Sequence, residues 1–276
     1  MIATRPDGPL LEEIASPPAT ARAVMTLARV EGRRLVRHPA ILVAIALAVV
    51  QSAPFLLSPD ATTEHNVGWL LQISALVISF GALLAANLQA AKSRRDRSEE
   101  LFQAAPLSPA ARTVAMALAA VWVVAAVTVL LLAGDLAIRV AGKGAASDSG
   151  QALFPLFDLV QGPLMAGLLV LIGIAVARWF PTALAGPLAV VALFVAVNWI
   201  VNAAGDPDWR RLVPIDPSFV DDGGLLAAFH AVYLCGLVAV VLAVALLRFG
   251  WTRWVRASLV GGLAVASVSG ALQLAS

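Results

Sequence analysis

Few residues of this chain are placed to do covalent or metal chemistry. There is one cysteine, Cys235, set in an apolar run. A disulfide within the chain is excluded, and the expected role is a small buried hydrophobe. The three histidines, His38, His65 and His230, lie far apart in sequence and lack metal-ligand spacing. No HExxH or GxSxG pattern occurs. The pairs Gly134-Asp135 and Gly205-Asp206 lack the first glycine of a GxGD pattern. A phosphate loop needs GxxxxGK[ST], and the nearest fragment, Gly142-Lys143-Gly144, lacks its spacing. No catalytic residue, cofactor site or metal site is therefore assigned. A nucleophile–base pair or a metal set is what a membrane enzyme would require.

The remaining chemistry is that of polar groups inside apolar stretches. Gln72, Asn87, Thr128, Asn198 and Tyr233 could line a translocation path, or they could bond helix to helix. His230 and Asp135 fall nearer the ends of such stretches. Asp135 and Arg139 are four apart, the spacing of a local ion pair on a helix.

The elements that carry these groups follow from composition. The 276 residues are 60% hydrophobic and 13% charged, with mean hydropathy +0.87. A soluble domain carries about 25% charged residues, so lipid must cover much of this surface. About 20 apolar residues of helix cross the hydrocarbon. Segments near 40–57, 67–91, 113–134, 159–177, 182–201 and 225–247 meet that test, and 257–275 is a weaker seventh, rich in Gly and Ser. The predicted fold is all-α, a polytopic membrane bundle of six core spans with a candidate seventh. Residues 1–20 read as a tail without a signal peptide.

Charge sets the expected orientation. With the N-terminus cytoplasmic, the inside segments hold Arg5, Arg22, Arg29, Arg33, Arg34, Arg37, Lys92, Arg94, Arg95, Arg97, Arg112, Arg178, Arg248, Arg253 and Arg256. The outside segments hold only Arg139, Lys143, Arg210 and Arg211. Trp179, Trp199, Trp209, Trp251 and Trp254 fall at or just beyond segment ends, where an interfacial ring prefers to sit. Small residues recur at four-residue spacing, as in Gly81, Ala85 and Gln89 or Ala82, Ala86 and Ala90. Such faces admit close helix approach in lipid. The formal net charge of +2 suggests no nucleic-acid partner, and the hydropathy implies a lipid bilayer.

Three segments outside the spans carry information. In 21–39, Arg22, Arg29, Arg33 and Arg37 share one stripe, with Val24, Leu27, Ala28 and Leu35 roughly opposite. This is an amphipathic helix, expected to end at Pro39 and lie in the cytoplasmic interface. It either binds anionic lipid alone or braces the bundle against a cytoplasmic partner. In 92–112, Ser98 can cap a short helix with Glu99 and Glu100 in its first turn. Leu101 and Phe102 then form an apolar knob, which calls for lipid or a docking groove to cover it. Residues 202–228 combine acids, Arg210, Arg211 and prolines into an expected outer cap.

Here the residues resemble a family. The pattern Arg29-x-Glu31-x-Arg33-Arg34-x-x-Arg37-x-Pro39 is similar to the start of ABC-2 type transporter permeases. So is Arg94-Arg95-Asp96-Arg97-Ser98-Glu99-Glu100-Leu101-Phe102, followed by Pro106-Leu107-Ser108 and Arg112-Thr113. The resemblance covers roughly residues 20–250. It implies an elbow helix at 21–39, in which Arg29, Glu31, Arg33 and Arg37 take part. It also implies that Glu99, Glu100, Leu101 and Phe102 belong to a coupling helix docking into a separate P-loop ATPase subunit. ATP and Mg would sit on that subunit, and the working unit would be a dimer of this chain or a pair with a sister permease. The expected role is a permease subunit of an exporter in a bacterial inner membrane, not an enzyme. Its substrate would be drug-like, peptide or lipid-like. The N-terminal tail and the interface segment and candidate span of 251–276 depart from the family's six-span plan. The rival classes are an ATP-independent carrier or channel, a membrane enzyme, and a non-transporting scaffold. A neighbouring gene for a P-loop ATPase would separate them.

Overall fold

A computed structural model describes residues 17–57, 64–95, 107–140, 156–203, 212–213 and 224–275. Among them every regular element is helical. In chain order they are α1 (Pro17–Val36), α2 (Pro39–Leu57), α3 (Glu64–Arg95), α4 (Pro109–Val140), α5 (Leu156–Trp179), α6 (Ala185–Ala203), α7 (Gly224–Leu247) and α8 (Arg253–Ala275). Five of these helices are long and apolar enough to cross a membrane, or six if α1 and α2 count as one bent span. The chain thus has the character of a multi-pass helical membrane protein. In α6 the apolar stretch, Ala185–Trp199, is shorter.

Local chemistry explains the helix ends. The Ser108 hydroxyl accepts from the Ala111 amide at 3.1 Å, with Pro109 at the first helical position of α4. Thr252 caps α8 in the same way, accepting from Val255 N–H at 3.3 Å. That cap starts α8 at Arg253, ahead of the expected 257. At the end of α7, the Phe249 and Gly250 amides donate to the Leu246 and Leu247 carbonyls. Gly250 has φ +123°, which a side chain would oppose.

One boundary differs from expectation. Pro39 does not end the amphipathic helix; it begins the next one. Proline disfavours helical geometry in the residue before it, so α1 stops at Val36 and the chain breaks at Arg37-His38. The His38 imidazole Nδ1 accepts from Ala40 N–H at 3.2 Å, acting as the cap of α2. The two helix axes bend by 44° at this break.

The core is built around α3 and α5, which run in the same direction. Gly162 lies against Ala75, and Gly173 lies against the backbone of Leu83 and Asn87. A Cβ on Gly173 would have no room. Ala75, Ala82, Leu83, Ala85, Ala86, Ala166, Leu169 and Val170 are buried there. The small-residue stripes of α3 are its contact faces: Ala82, Ala86 and Ala90 are buried, and Gly81 meets Ala40 and Ala44 of α2. In lipid this close fit supplies association through van der Waals contact, since lipid tails already satisfy apolar side chains.

The other contacts fix the helix directions. Ser52 and Ser74 approach to 3.3 Å, while Gly81 meets Ala40, so α2 and α3 are antiparallel. Gly162 touches Leu131 and Gly167 touches Val124, so α4 and α5 are antiparallel. Trp179 Nε1 donates to the Val244 carbonyl at 3.0 Å, aligning α5 with α7. Gly236 lies on Gly262 and Ala266, folding α7 and α8 into a tight hairpin. This puts Cys235 of α7 on the exposed side, correcting the buried role expected for it. Hydropathy alone cannot tell the lipid face of an apolar helix from its packed face.

Candidate functional site at the basic end of the bundle

The alternating directions gather the cations. The C-terminal ends of α3, α5 and α7 and the N-terminal ends of α4 and α8 meet at one end of the bundle, and α1 packs beside them, from Gln89 of α3 to Trp122 of α4. Arg22, Arg29, Arg33, Arg34, Arg37, Lys92, Arg94, Arg95, Arg112, Arg178, Arg248, Arg253 and Arg256 belong to these segments or adjoin them. Among the described residues, Arg139 near the far end of α4 is the exception.

Helix α1 is seated on this end. Ala28 and Leu35 are buried, and Gly32 lies so close to the Trp122 ring of α4 that a Cβ would not fit. Glu31 turns inward. Its carboxylate accepts from Gln89 of α3, and its backbone carbonyl accepts from the same amide at 3.3 Å. Arg34 pairs with the other Glu31 oxygen at 3.3 Å. Arg29, Arg33 and Arg37 are exposed. The four residues expected to form the elbow thus divide into one inward acid and three outward cations.

The α3–α4 connection starts and ends here. α3 runs to Arg95, and the chain is described again from Leu107, whose carbonyl accepts from Arg112 Nε at 3.2 Å. Glu99, Glu100, Leu101 and Phe102 lie outside the described residues, as does most of the expected outer cap at 202–228.

Two polar groups at this end do more than the sequence reading assigns them; that reading counts Arg178 only toward orientation. Arg178 is buried at the C-terminus of α5, where the helix dipole favours a cation. Its Nη2 donates to Met116 Sδ at 3.4 Å. Gln89 was visible only as part of a small-residue stripe. A polar residue on an apolar helix is the signal that picks out both.

His38 is the described histidine outside the long apolar helices. Burial holds its imidazole below its ordinary pKa. That agrees with an Nδ1 that accepts a hydrogen bond and so carries no proton.

The five residues considered for a translocation path lie on four helices. Gln72 and Asn87 are both on α3 and both buried, but 15 residues of helix is about 22 Å. Asn87 Nδ2 donates to the Gly173 carbonyl at 3.2 Å, and its side chain also lies against Gly186 of α6. Thr128 and Asn198 bond carbonyls four residues back in their own helices. Tyr233 donates to the Leu212 carbonyl at 2.9 Å. No described contact joins the five into one lining.

A second buried polar group sits toward the other end. His230 of α7 and Gln273 of α8 approach to 3.0 Å, and both are almost fully buried. The Tyr233 ring leans on His230 at 5.8 Å. Gln273 was not anticipated. Asp135 is also buried; the side chain of Arg139, its expected partner, lies outside the described residues. Among the described residues, no cluster of His, Cys, Asp and Glu could hold a metal ion.

Comparison with known proteins finds no matching family model, no matching curated protein and no matching solved structure.

Proposed function

We propose that the chain is the membrane permease subunit of an ABC-2 type exporter, driven by a separate P-loop ATPase and active as a dimer or with a sister permease. In this reading the basic end of the bundle faces the cytoplasm, by the positive-inside rule. The observation that carries it is the meeting, at that end, of a seated amphipathic α1 with both stems of the α3–α4 connection.

An external motor can drive a bundle only through levers that reach its core. Helix α3 is such a lever. It is packed along its length against α5, and its basic end is tied to α1 through Gln89 and Glu31. A push on residues 96–106 would bear directly on α3 and α4. ATP closure of the partner would then move two such bundles between inward and outward access, or open a lateral path. The substrate class in this reading is drug-like, peptide or lipid-like.

The test uses Leu101→Asp and Phe102→Asp in the full chain. Each is expected to abolish ATP-driven export while leaving the protein in the membrane at normal level. Normal export by both variants would overturn the coupling role of this segment.

A further inference from the structure

The outward face of α1 has a chemistry that the ATPase reading does not use. Arg22, Arg29, Arg33 and Arg37 all lie within one stripe and all are exposed. Glu31 is the sole acid of α1, and it is withdrawn to Gln89 and Arg34. The stripe therefore presents cationic charge undiluted by carboxylate.

The stripe is not bordered by polar residues alone. Met25 lies along one edge and Val30 along the other, 49% and 42% exposed. Guanidinium groups flanked by apolar side chains suit a boundary where charge lies above hydrocarbon. The level of that boundary is marked independently. Trp179, Trp251 and Trp254 are exposed at the same end of the bundle. Arg248 lies 6.0 Å from the centroid of the Trp179 ring, and Arg253 lies 5.1 Å from that of Trp254. The axes of α1 and α2 differ by 44°, and the inner face of α1 is already occupied by α4, which leaves the arginine stripe facing outward.

We propose that the outer face of α1 binds the headgroups of anionic phospholipids at the membrane surface, through Arg29, Arg33 and Arg37. The binding is electrostatic, so it selects for negative headgroup charge and weakens with salt. It makes α1 a lipid-sensing brace on α3 and α4. The proposal does not depend on an ATPase partner.

The test reconstitutes the full chain into nanodiscs of equimolar phosphatidylcholine and phosphatidylglycerol. The chain is re-extracted in mild detergent, and the retained lipid is quantified by mass spectrometry. The wild type is expected to retain phosphatidylglycerol in excess. The triple variant Arg29→Gln, Arg33→Gln, Arg37→Gln is expected to lose that excess, with roughly a fivefold loss of preference per arginine. The matching triple Lys variant keeps the charge and is expected to keep the preference, which separates binding from a folding defect. A double variant, Arg248→Gln with Arg253→Gln, is expected to retain most of it. Equal retention of both lipids by the wild type would overturn the proposal. So would an unchanged preference in a folded triple Gln variant, including one that instead loses a soluble acidic protein.

Discussion

At the scale of single residues, His38 makes the most exposed commitment. Its Nδ1 caps α2 by accepting from Ala40, which requires the neutral ring. Burial lowers its pKa in the folded state, so the folded protein binds this proton less readily than the unfolded chain. The stability that His38 contributes is complete above its ordinary value of about 6.5 and falls as pH drops through and below it. The expected result is a Tm that declines between pH 7 and pH 5, by an amount set by a cap worth about 1 kcal/mol. His38→Asn keeps a capping side chain without a titrating ring, and the part of the decline due to His38 should vanish. Identical pH profiles would contradict this. Glu31 supports a second prediction. Glu31→Ala takes the carboxylate acceptor from the half-buried Gln89 amide and leaves it only the backbone carbonyl of residue 31, a loss of about 1–3 kcal/mol. Gln89→Leu combined with Glu31→Ala should cost less than the sum of the two single changes, because neither orphan remains. Thermal unfolding of the four proteins forms the cycle that measures it.

At the scale of elements, the α3–α5 pair and the α7–α8 hairpin are held by missing side chains. Gly173 and Gly236 each face backbone, not the end of a flexible side chain. Gly173→Val must push α3 from α5, and a loss of several °C in Tm is expected, together with a lower yield of monodisperse protein. Gly261 faces open space, so Gly261→Val is expected to change little. Equal effects at the two sites would mean that the close approach contributes nothing. The helices themselves were legible because about 20 apolar residues between charged turns leave no other structure for a chain in lipid. The packed faces were legible in α3, where small residues recur every fourth position. They were not legible in α7, where Cys235 and Gly236 are adjacent and equally apolar, and only the partner helix decides which turns inward. The break at Arg37-His38 was misplaced because Pro39 was read as a stop, although proline at a first helical position is a start.

At the scale of the whole molecule, charge placement on the sequence already divided the chain into two ends, and the alternating helix directions gather the same residues in space. Function was less legible. The groups expected to carry it at residues 99–102 lie outside the described residues, and the polar groups inside the bundle bond either their own helix, as Thr128 and Asn198 do, or a single neighbour, as Asn87, Tyr233 and His230 do, without converging on one site. Thr128 and Asn198 show why: a hydroxyl or amide on an apolar helix can bond a carbonyl one turn back, and its presence in the sequence does not say whether it does. What distinguishes a motor-driven permease from a carrier is the partner at the basic end. The most direct measurement is co-purification of the tagged full chain in mild detergent from its native cells. A P-loop ATPase is expected to elute with it in stable proportion, and Phe102→Asp is expected to release it. Isolation of the intact wild-type chain as a dimer without an ATPase would overturn the assignment as a motor-driven permease.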